Sequence, residues 1–125
     1  MKNLKNQTSY NFKLDKSDQT YELRRKVINI LYEVKRKTSI PRIEVRIVTN
    51  GDHNVIGYAY FQANIIHINK AYMNNETKLV HTVLHELCHA VKGINHVKGC
   101  HLMDAYEPEK IDLELSWSLF MEYIK

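Results

Sequence analysis

Two histidines four residues apart, His85 and His89, flank Glu86 in the pattern H-E-x-x-H. Residues four apart on an α-helix lie one turn above each other, so the two imidazoles can share one ion. Glu86 is rotated about 100° from His85, where its carboxylate can reach a water held by the metal without being a ligand. Imidazole suits zinc, and a catalytic zinc keeps three protein ligands and one position for water. The spacing therefore predicts one Zn²⁺ per chain, with Glu86 as general base.

The H-E-x-x-H pattern is specific in a chain of this length and composition. About 0.03 matches are expected by chance in 125 residues that include 7 histidines. Apolar residues at helical spacing also give the segment a buried side, namely Leu79, Val80, Val83, Leu84, Leu87 and Val91. Both observations weigh against the alternative, a helix with incidental surface histidines.

A helix and three strands are predicted upstream of this segment. Asp18 or Thr20 can cap the first helix. Its buried stripe comprises Leu23, Val27, Ile30, Leu31 and Val34. "RIEVRIV" places Ile43, Val45 and Ile47 on one face, which predicts a strand. "TNGDHN" predicts a turn, and "IGYAYF" and "NIIHINKAY" predict two more strands because β-branched and aromatic residues dominate them.

The H-E-x-x-H helix is predicted from Glu76 to Lys92. Asn74 or Asn75 can act as its N-cap. Gly93 stands where a left-handed residue is needed to end it.

A loop over residues 94–108 and a last helix over "EKIDLELSWSLFMEYI" complete the pattern. The residues predicted to share one side of that helix are Ile111, Leu115, Leu119 and Tyr123. The fold class is therefore α+β: an N-terminal helix, a small mixed twisted sheet, the H-E-x-x-H helix, a methionine-bearing loop and a C-terminal helix. We predict a loose N-terminal segment over residues 1–18 and a single domain over residues 19–125.

The metal motif and the loop after it resemble the metzincin metallopeptidases, especially the matrixin and archaemetzincin branches. Their signature is H-E-x-x-H-x-x-G-x-x-H, followed by a turn that carries methionine. The matching residues here are His85, Glu86, His89, Gly93, His96 and Met103. The chain departs from the signature because three residues, not two, separate His89 from Gly93. The helix must therefore end one residue later, or bulge.

The metzincin resemblance implies a compact zincin-like domain and a zinc-dependent metalloendopeptidase. It implies His96 as the third ligand and Met103 beneath the metal. It also implies that residues 57–61 form an edge strand that holds a protein or peptide substrate extended by strand addition. Tyr106 lies near the position of an oxyanion-stabilising tyrosine in some metzincins, but three residues after the methionine instead of two.

A second family competes with the metzincins. "GYAYFQANIIHINKAYM" is similar to the strand pair that precedes the H-E-x-x-H helix in SprT-like metallopeptidases. Those proteins act on proteins attached to DNA, which would suit the basic first helix. In that family the third histidine is usually followed by glycine and an aromatic residue, whereas "VKGCHLM" follows His96. A non-catalytic zinc-binding interaction module is a third hypothesis.

The residues alone leave the third ligand open. His96 is one candidate, and His101, two residues before Met103, is another. Glu114 on the last helix would give an arrangement in which an acidic ligand comes from a later helix. A closed site would need a fourth protein ligand such as Cys100 or His101, whereas a catalytic site leaves that position to water.

The remaining cysteine and histidine residues have structural interpretations. Cys88 and Cys100 form no C-x-x-C pair, and we expect Cys88 to be a small core residue. Together they could instead bind a second metal or form a redox-sensitive bond. His81 is expected behind or beside the ligands, and His53 and His67 are expected to be surface or partly buried residues.

The net charge of +4 is unevenly distributed. Residues 1–42 hold 11 Lys/Arg and 4 Asp/Glu, whereas residues 43–125 hold 7 and 10. The basic residues 24–37 can attract nucleic acid or an acidic partner. No apolar run approaches the length of a membrane helix and no apolar segment follows the first lysines, so we expect a cytoplasmic protein without a membrane partner.

Overall fold

The computed structural model describes residues 13–14, 18–49, 57–60, 64–70 and 75–125. The elements are β1 (Lys13–Leu14), α1 (Asp18–Lys37), β2 (Glu44–Thr49), β3 (Gly57–Tyr60), β4 (Ile65–Asn69), α2 (Glu76–Lys92) and α3 (Leu113–Ile124). The predicted α+β fold, with three helices and a small mixed sheet, is confirmed. The predicted turn in "TNGDHN" and most of the predicted loose segment lie outside the described residues.

The four strands form one mixed sheet in the order β1-β2-β4-β3. β2 pairs with β4 in parallel, while β1 and β3 pair antiparallel with β2 and β4. β3 is held to β4 from Gly57 opposite Ile68 to Tyr60 opposite Ile65. Among the described strands, β3 therefore occupies one edge of the sheet.

α2 is the central helix of the domain, because it contacts α1, α3, β3 and β4. The stripe predicted on α1 is confirmed: Leu23, Val27, Leu31 and Val34 are buried, and Ile30 packs partly buried against the same core. Among the described residues, none of the helices combines the length and apolar character that crossing a bilayer requires.

Both ends of α2 have the predicted capping residues. The Asn75 side chain accepts a hydrogen bond from the Lys78 backbone N–H at 3.2 Å. At the other end Gly93 adopts φ 65°, and the N–H groups of Gly93 and Ile94 donate to the carbonyls of His89 and Cys88. The extra residue before the glycine is thus absorbed by a helix that ends one residue later.

β4 and the end of β2 are buried on both faces, which the alternating pattern of β2 did not predict. Ile47 and Val48 are adjacent and both buried, and His67 in β4 is buried between Ile66 and Ile68. The prediction of a surface or partly buried His67 was therefore wrong. Burial lowers the pKa of His67 to about 4, with a further lowering from Arg46.

The last helix begins later than predicted, and its fully buried row is formed by residues outside the predicted one. α3 starts at Leu113, with the Asp112 side chain accepting from the Leu115 N–H at 3.2 Å. Its buried residues are Ser116, Phe120 and Ile124. Of the residues predicted to share one side, Leu119 and Tyr123 pack partly buried against the core, whereas Leu115 is 41% exposed. Ser116 belongs to the buried row because its hydroxyl has partners there, which a purely apolar pattern cannot show.

Candidate metal centre

Three histidines, His85, His89 and His96, come together at the C-terminal end of α2. One ligand nitrogen from each lies within 4.8 Å of the others, and the Nε2 atoms of His85 and His89 are 3.1 Å apart. Two of the rings lie one turn apart on α2, while His96 approaches from the loop that follows Gly93. Three imidazoles this close provide the donor set of a mononuclear zinc site.

Backbone carbonyls orient the two helical ligands. His85 Nδ1 donates to the Leu102 carbonyl at 2.6 Å, and His89 Nδ1 donates to the Ile94 carbonyl. A proton held on Nδ1 leaves the Nε2 lone pair of each ring for a metal. Both carbonyls belong to the segment after α2, so that segment places His96 and also fixes the tautomers of His85 and His89.

The electrostatics of the cluster favour uncharged rings. Burial lowers the pKa of both His85 and His89 to about 4, and the hydrogen bonds to the two carbonyls only partly oppose that shift. At neutral pH both imidazoles are therefore deprotonated, which is the state that a metal requires. The charge and chemistry of this donor set fit Zn²⁺.

Glu86 is buried beside the ligands, in the middle of α2. Burial raises the pKa of its carboxyl to about 8. A carboxyl with a raised pKa holds a proton more readily than one in water, which suits a group that must accept a proton and then return it.

The structure brings neither His101 nor Glu114 to this cluster. His101 Nε2 accepts a hydrogen bond from the Asp112 backbone N–H at 3.0 Å, so its ring serves the start of α3. Glu114 lies exposed in the first turn of α3. Tyr106 is 85% exposed, and its backbone N–H donates to Asp104. Its proposed role at an oxyanion has no contact in this structure to support it.

The loop between His96 and α3 is closed by its own hydrogen bonds. The Val97 N–H donates to the Met103 carbonyl at 2.8 Å, and the Asp104 carboxylate accepts from the Gly99 N–H at 2.8 Å. The backbone N–H groups of Tyr106 and Gly99 both donate to the Asp104 carboxylate and hold its pKa below its usual range. Met103 is fully buried in the core, so it anchors this loop from below.

The two cysteines are free thiols. Cys88 is buried in the core, as predicted. Cys100 Sγ lies 3.5 Å from the Tyr123 hydroxyl and accepts from the Met103 N–H at 3.4 Å. Cys100 therefore connects the loop to α3, and no group that includes either cysteine meets the geometry of a metal site within the described residues.

A buried polar contact behind the ligands was not predicted from the sequence. His81 Nδ1 lies 2.8 Å from Ser116 Oγ, and the Ser116 hydroxyl donates to the Asp112 carbonyl at 3.0 Å. The serine proton is thus used, so His81 Nδ1 is the donor to Ser116. The His81 ring also packs edge-on against His101, with centroids 5.5 Å apart. These contacts join α2, the loop and α3 behind the metal cluster.

An α+β domain with an H-E-x-x-H helix and a third converging histidine defines the class of metallopeptidase-like domains. The model of the SprT-like family matches residues 23–103, which is more than half of the chain. The chain therefore belongs to the SprT-like family. Comparisons with curated proteins and with solved structures found no match. Of the two resemblances in the sequence, the SprT-like one is supported, and the metzincin one gains no support from the comparisons.

Proposed function

We propose that this protein is a zinc-dependent peptidase that hydrolyses peptide bonds. The observation that carries the proposal is a cluster of three imidazoles with the buried carboxyl of Glu86 beside it. His85, His89 and His96 would hold the ion. Zinc, when bound in such a site, acidifies water and polarises a carbonyl group.

Glu86 would be the proton carrier of the reaction. It follows His85 on the helix and is not one of the three clustered donors, so a metal leaves its carboxylate available. Its burial excludes bulk water that would compete for the proton. Glu86 would accept a proton from the attacking water and pass it to the leaving amine.

β3 would hold the substrate. It is paired on one side with β4, and among the described strands it has no neighbour on the other side. It also packs against the metal helix α2. An extended peptide could therefore add to the edge at Gly57–Tyr60 by backbone hydrogen bonds.

The alternative of a non-catalytic zinc module requires a closed site with a fourth protein ligand. The two candidates for that ligand have other partners: Cys100 contacts Tyr123 and Met103, and His101 accepts from Asp112. Their engagement favours an open fourth position and therefore catalysis. The basic residues of α1 support the narrower hypothesis that the substrates are proteins attached to DNA.

The test compares Glu86→Gln with Glu114→Gln, an exposed glutamate on α3. We expect Glu86→Gln to retain about one zinc per chain and to lose about 10²- to 10⁴-fold in hydrolysis of a fluorogenic protein substrate. Glu114→Gln should match the wild type in both measurements. Undiminished turnover by Glu86→Gln, with zinc bound, would remove Glu86 from the reaction.

A further inference from the structure

Asp104 holds a carboxylate in a fixed position in the loop between His96 and α3. Its Oδ2 accepts a hydrogen bond from the Gly99 N–H at 2.8 Å, and its Oδ1 accepts one from the Tyr106 N–H at 3.0 Å. Its own N–H donates to the Cys100 carbonyl at 3.0 Å. Hydrogen bonds to a charged acceptor are stronger than those between neutral groups, so these contacts fix the negative charge as well as the loop.

Asp104 follows two residues whose carbonyls join the segments that carry the metal ligands. The Leu102 carbonyl accepts from His85 Nδ1 on α2 at 2.6 Å. The Met103 carbonyl accepts from the N–H of Val97, the residue after the third ligand, at 2.8 Å. The carboxylate of Asp104 therefore stands at the point where α2 and the ligand-bearing loop are fastened together.

The charge of Asp104 acts on two of the three ligand rings. Burial lowers the pKa of His85, and the Asp104 carboxylate is one of the groups that oppose this shift. The pKa of Asp104 is lowered first by its backbone hydrogen bonds and further by His96. Because electrostatic interaction falls off with distance, the carboxylate lies near both rings. It is not one of the three clustered donors, so it acts on the site without being a ligand.

A Zn²⁺ ion in this site would keep its two positive charges. Imidazole binds metals in its neutral form, so three histidines do not offset the charge of the ion. A carboxylate near a dication stabilises it by Coulomb attraction. Asp104 is only partly buried, so dissolved salt weakens this attraction.

We propose that Asp104 is a positioning residue of the metal centre, which closes the loop that carries His96 and stabilises the bound cation by its charge. This role rests on the proposed zinc site and adds to it a residue that does not touch the ion. The hydrogen bonds to Gly99 and Tyr106 perform the first part of the role. The negative charge performs the second part, which an uncharged side chain of the same shape cannot replace.

The test compares Asp104→Asn with the wild type by competition for zinc with a chromogenic chelator. Asparagine has nearly the shape of aspartate and keeps one acceptor oxygen, but it removes the charge. We expect its zinc affinity to be about threefold to tenfold lower at about 10 mM salt. At about 1 M salt the difference should shrink to under about twofold, because the Debye length is then about 3 Å. The ratio of the two affinities cancels the effect of salt on the chelator.

Two further variants separate the charge from the hydrogen bonds. Asp104→Ala removes both acceptors and should lower the metal-free Tm by about 4 °C or more. Its zinc affinity should remain below that of the wild type at high salt, since contacts at bonding distance are screened little. Glu109→Gln, which neutralises an exposed carboxylate of the same segment, is the charge control and should match the wild type within about twofold at either salt.

Two results would overturn the role of Asp104 while leaving the metal centre in place. One is equal zinc affinity of Asp104→Asn and the wild type at about 10 mM salt. The other is a ratio of affinities that is the same at about 1 M salt, which would leave Asp104 with closure of the loop alone. A wild-type protein that binds no zinc would overturn the metal centre and this role together, so failure of the one proposal is distinguished from failure of the other.

Discussion

His96 and His101 were rival third ligands, and the structure gives them separable thermodynamic signatures. Zinc at about 1,000 times its Kd stabilises the folded chain by about 4 kcal/mol, which for 125 residues raises Tm by about 15 °C. His96 is exposed, so His96→Ala should change the metal-free Tm by at most about 2 °C. If its loss lowers zinc affinity 100-fold or more, the zinc-induced shift falls to about 5 °C or less.

His101→Ala should show the opposite behaviour. It removes the acceptor of the Asp112 N–H at the start of α3, which costs about 1 kcal/mol, or about 4 °C in Tm, without metal. It leaves the three clustered imidazoles in place, so the full zinc-induced shift should remain. Scanning calorimetry with and without zinc, and competition with a chromogenic chelator, measure both quantities. A full zinc shift in His96→Ala together with its loss in His101→Ala would refute the assignment of the third ligand.

Three further predictions concern the framework of the site. Phe120→Ala should lower the free energy of unfolding by about 3–5 kcal/mol in urea titrations because this ring is fully buried. The control Leu115→Ala should lower it by under about 0.5 kcal/mol. Equal losses in the two variants would contradict the observed orientation of α3. The pKa of His67 is near 4 when folded and 6.5 in the reference state, so the unfolded chain binds the extra proton and stability falls as the pH drops from about 6.5 to about 4. His67→Leu should remove up to about 3 kcal/mol of that pH dependence. The measurement is the free energy of unfolding of the variant and of the wild type across this pH range. Parallel curves for the two proteins would argue against a role for His67. Gly93→Ala places a side chain on a residue in the left-handed region and should lower Tm by about 4 °C. It should also lower zinc affinity about tenfold, since it displaces the Ile94 carbonyl that orients His89. Unchanged zinc affinity in chelator competition would contradict this coupling.

The metal helix was predictable because its determinants are local. Asn75 and Gly93 mark its two ends by their own side-chain and backbone chemistry, and the spacing of His85 and His89 requires only helical geometry. The sequence left open whether the extra residue before Gly93 lengthens the helix or forms a bulge in it. The structure shows the longer helix, since Gly93 and Ile94 close the helix end with paired hydrogen bonds.

What could not be predicted depends on distant partners. The carbonyls of Leu102 and Ile94 orient two ligands. Every residue has a backbone carbonyl, so residue type does not indicate which carbonyl accepts a hydrogen bond from a histidine. Ser116 lies in the buried row of α3 because His81 donates to it from α2, so a polar residue occupies a position that periodicity assigns to solvent. His67 is buried because β4 lies inside the sheet, and the order of strands is not encoded in any one of them.

The hydrogen bond from His85 to the Leu102 carbonyl joins residues 17 positions apart. The metal centre is therefore complete only after residues 94–104 have folded back over the end of α2. Zinc binding and closure of this loop are then linked equilibria, and part of the intrinsic metal affinity is spent on ordering the loop. Substitutions such as Gly99→Val, which would strain a residue at φ 82° that is not itself a ligand, would lower the apparent zinc affinity by depopulating the closed loop. Metal affinity in this domain thus reports a conformational population as well as the strength of three imidazole donors.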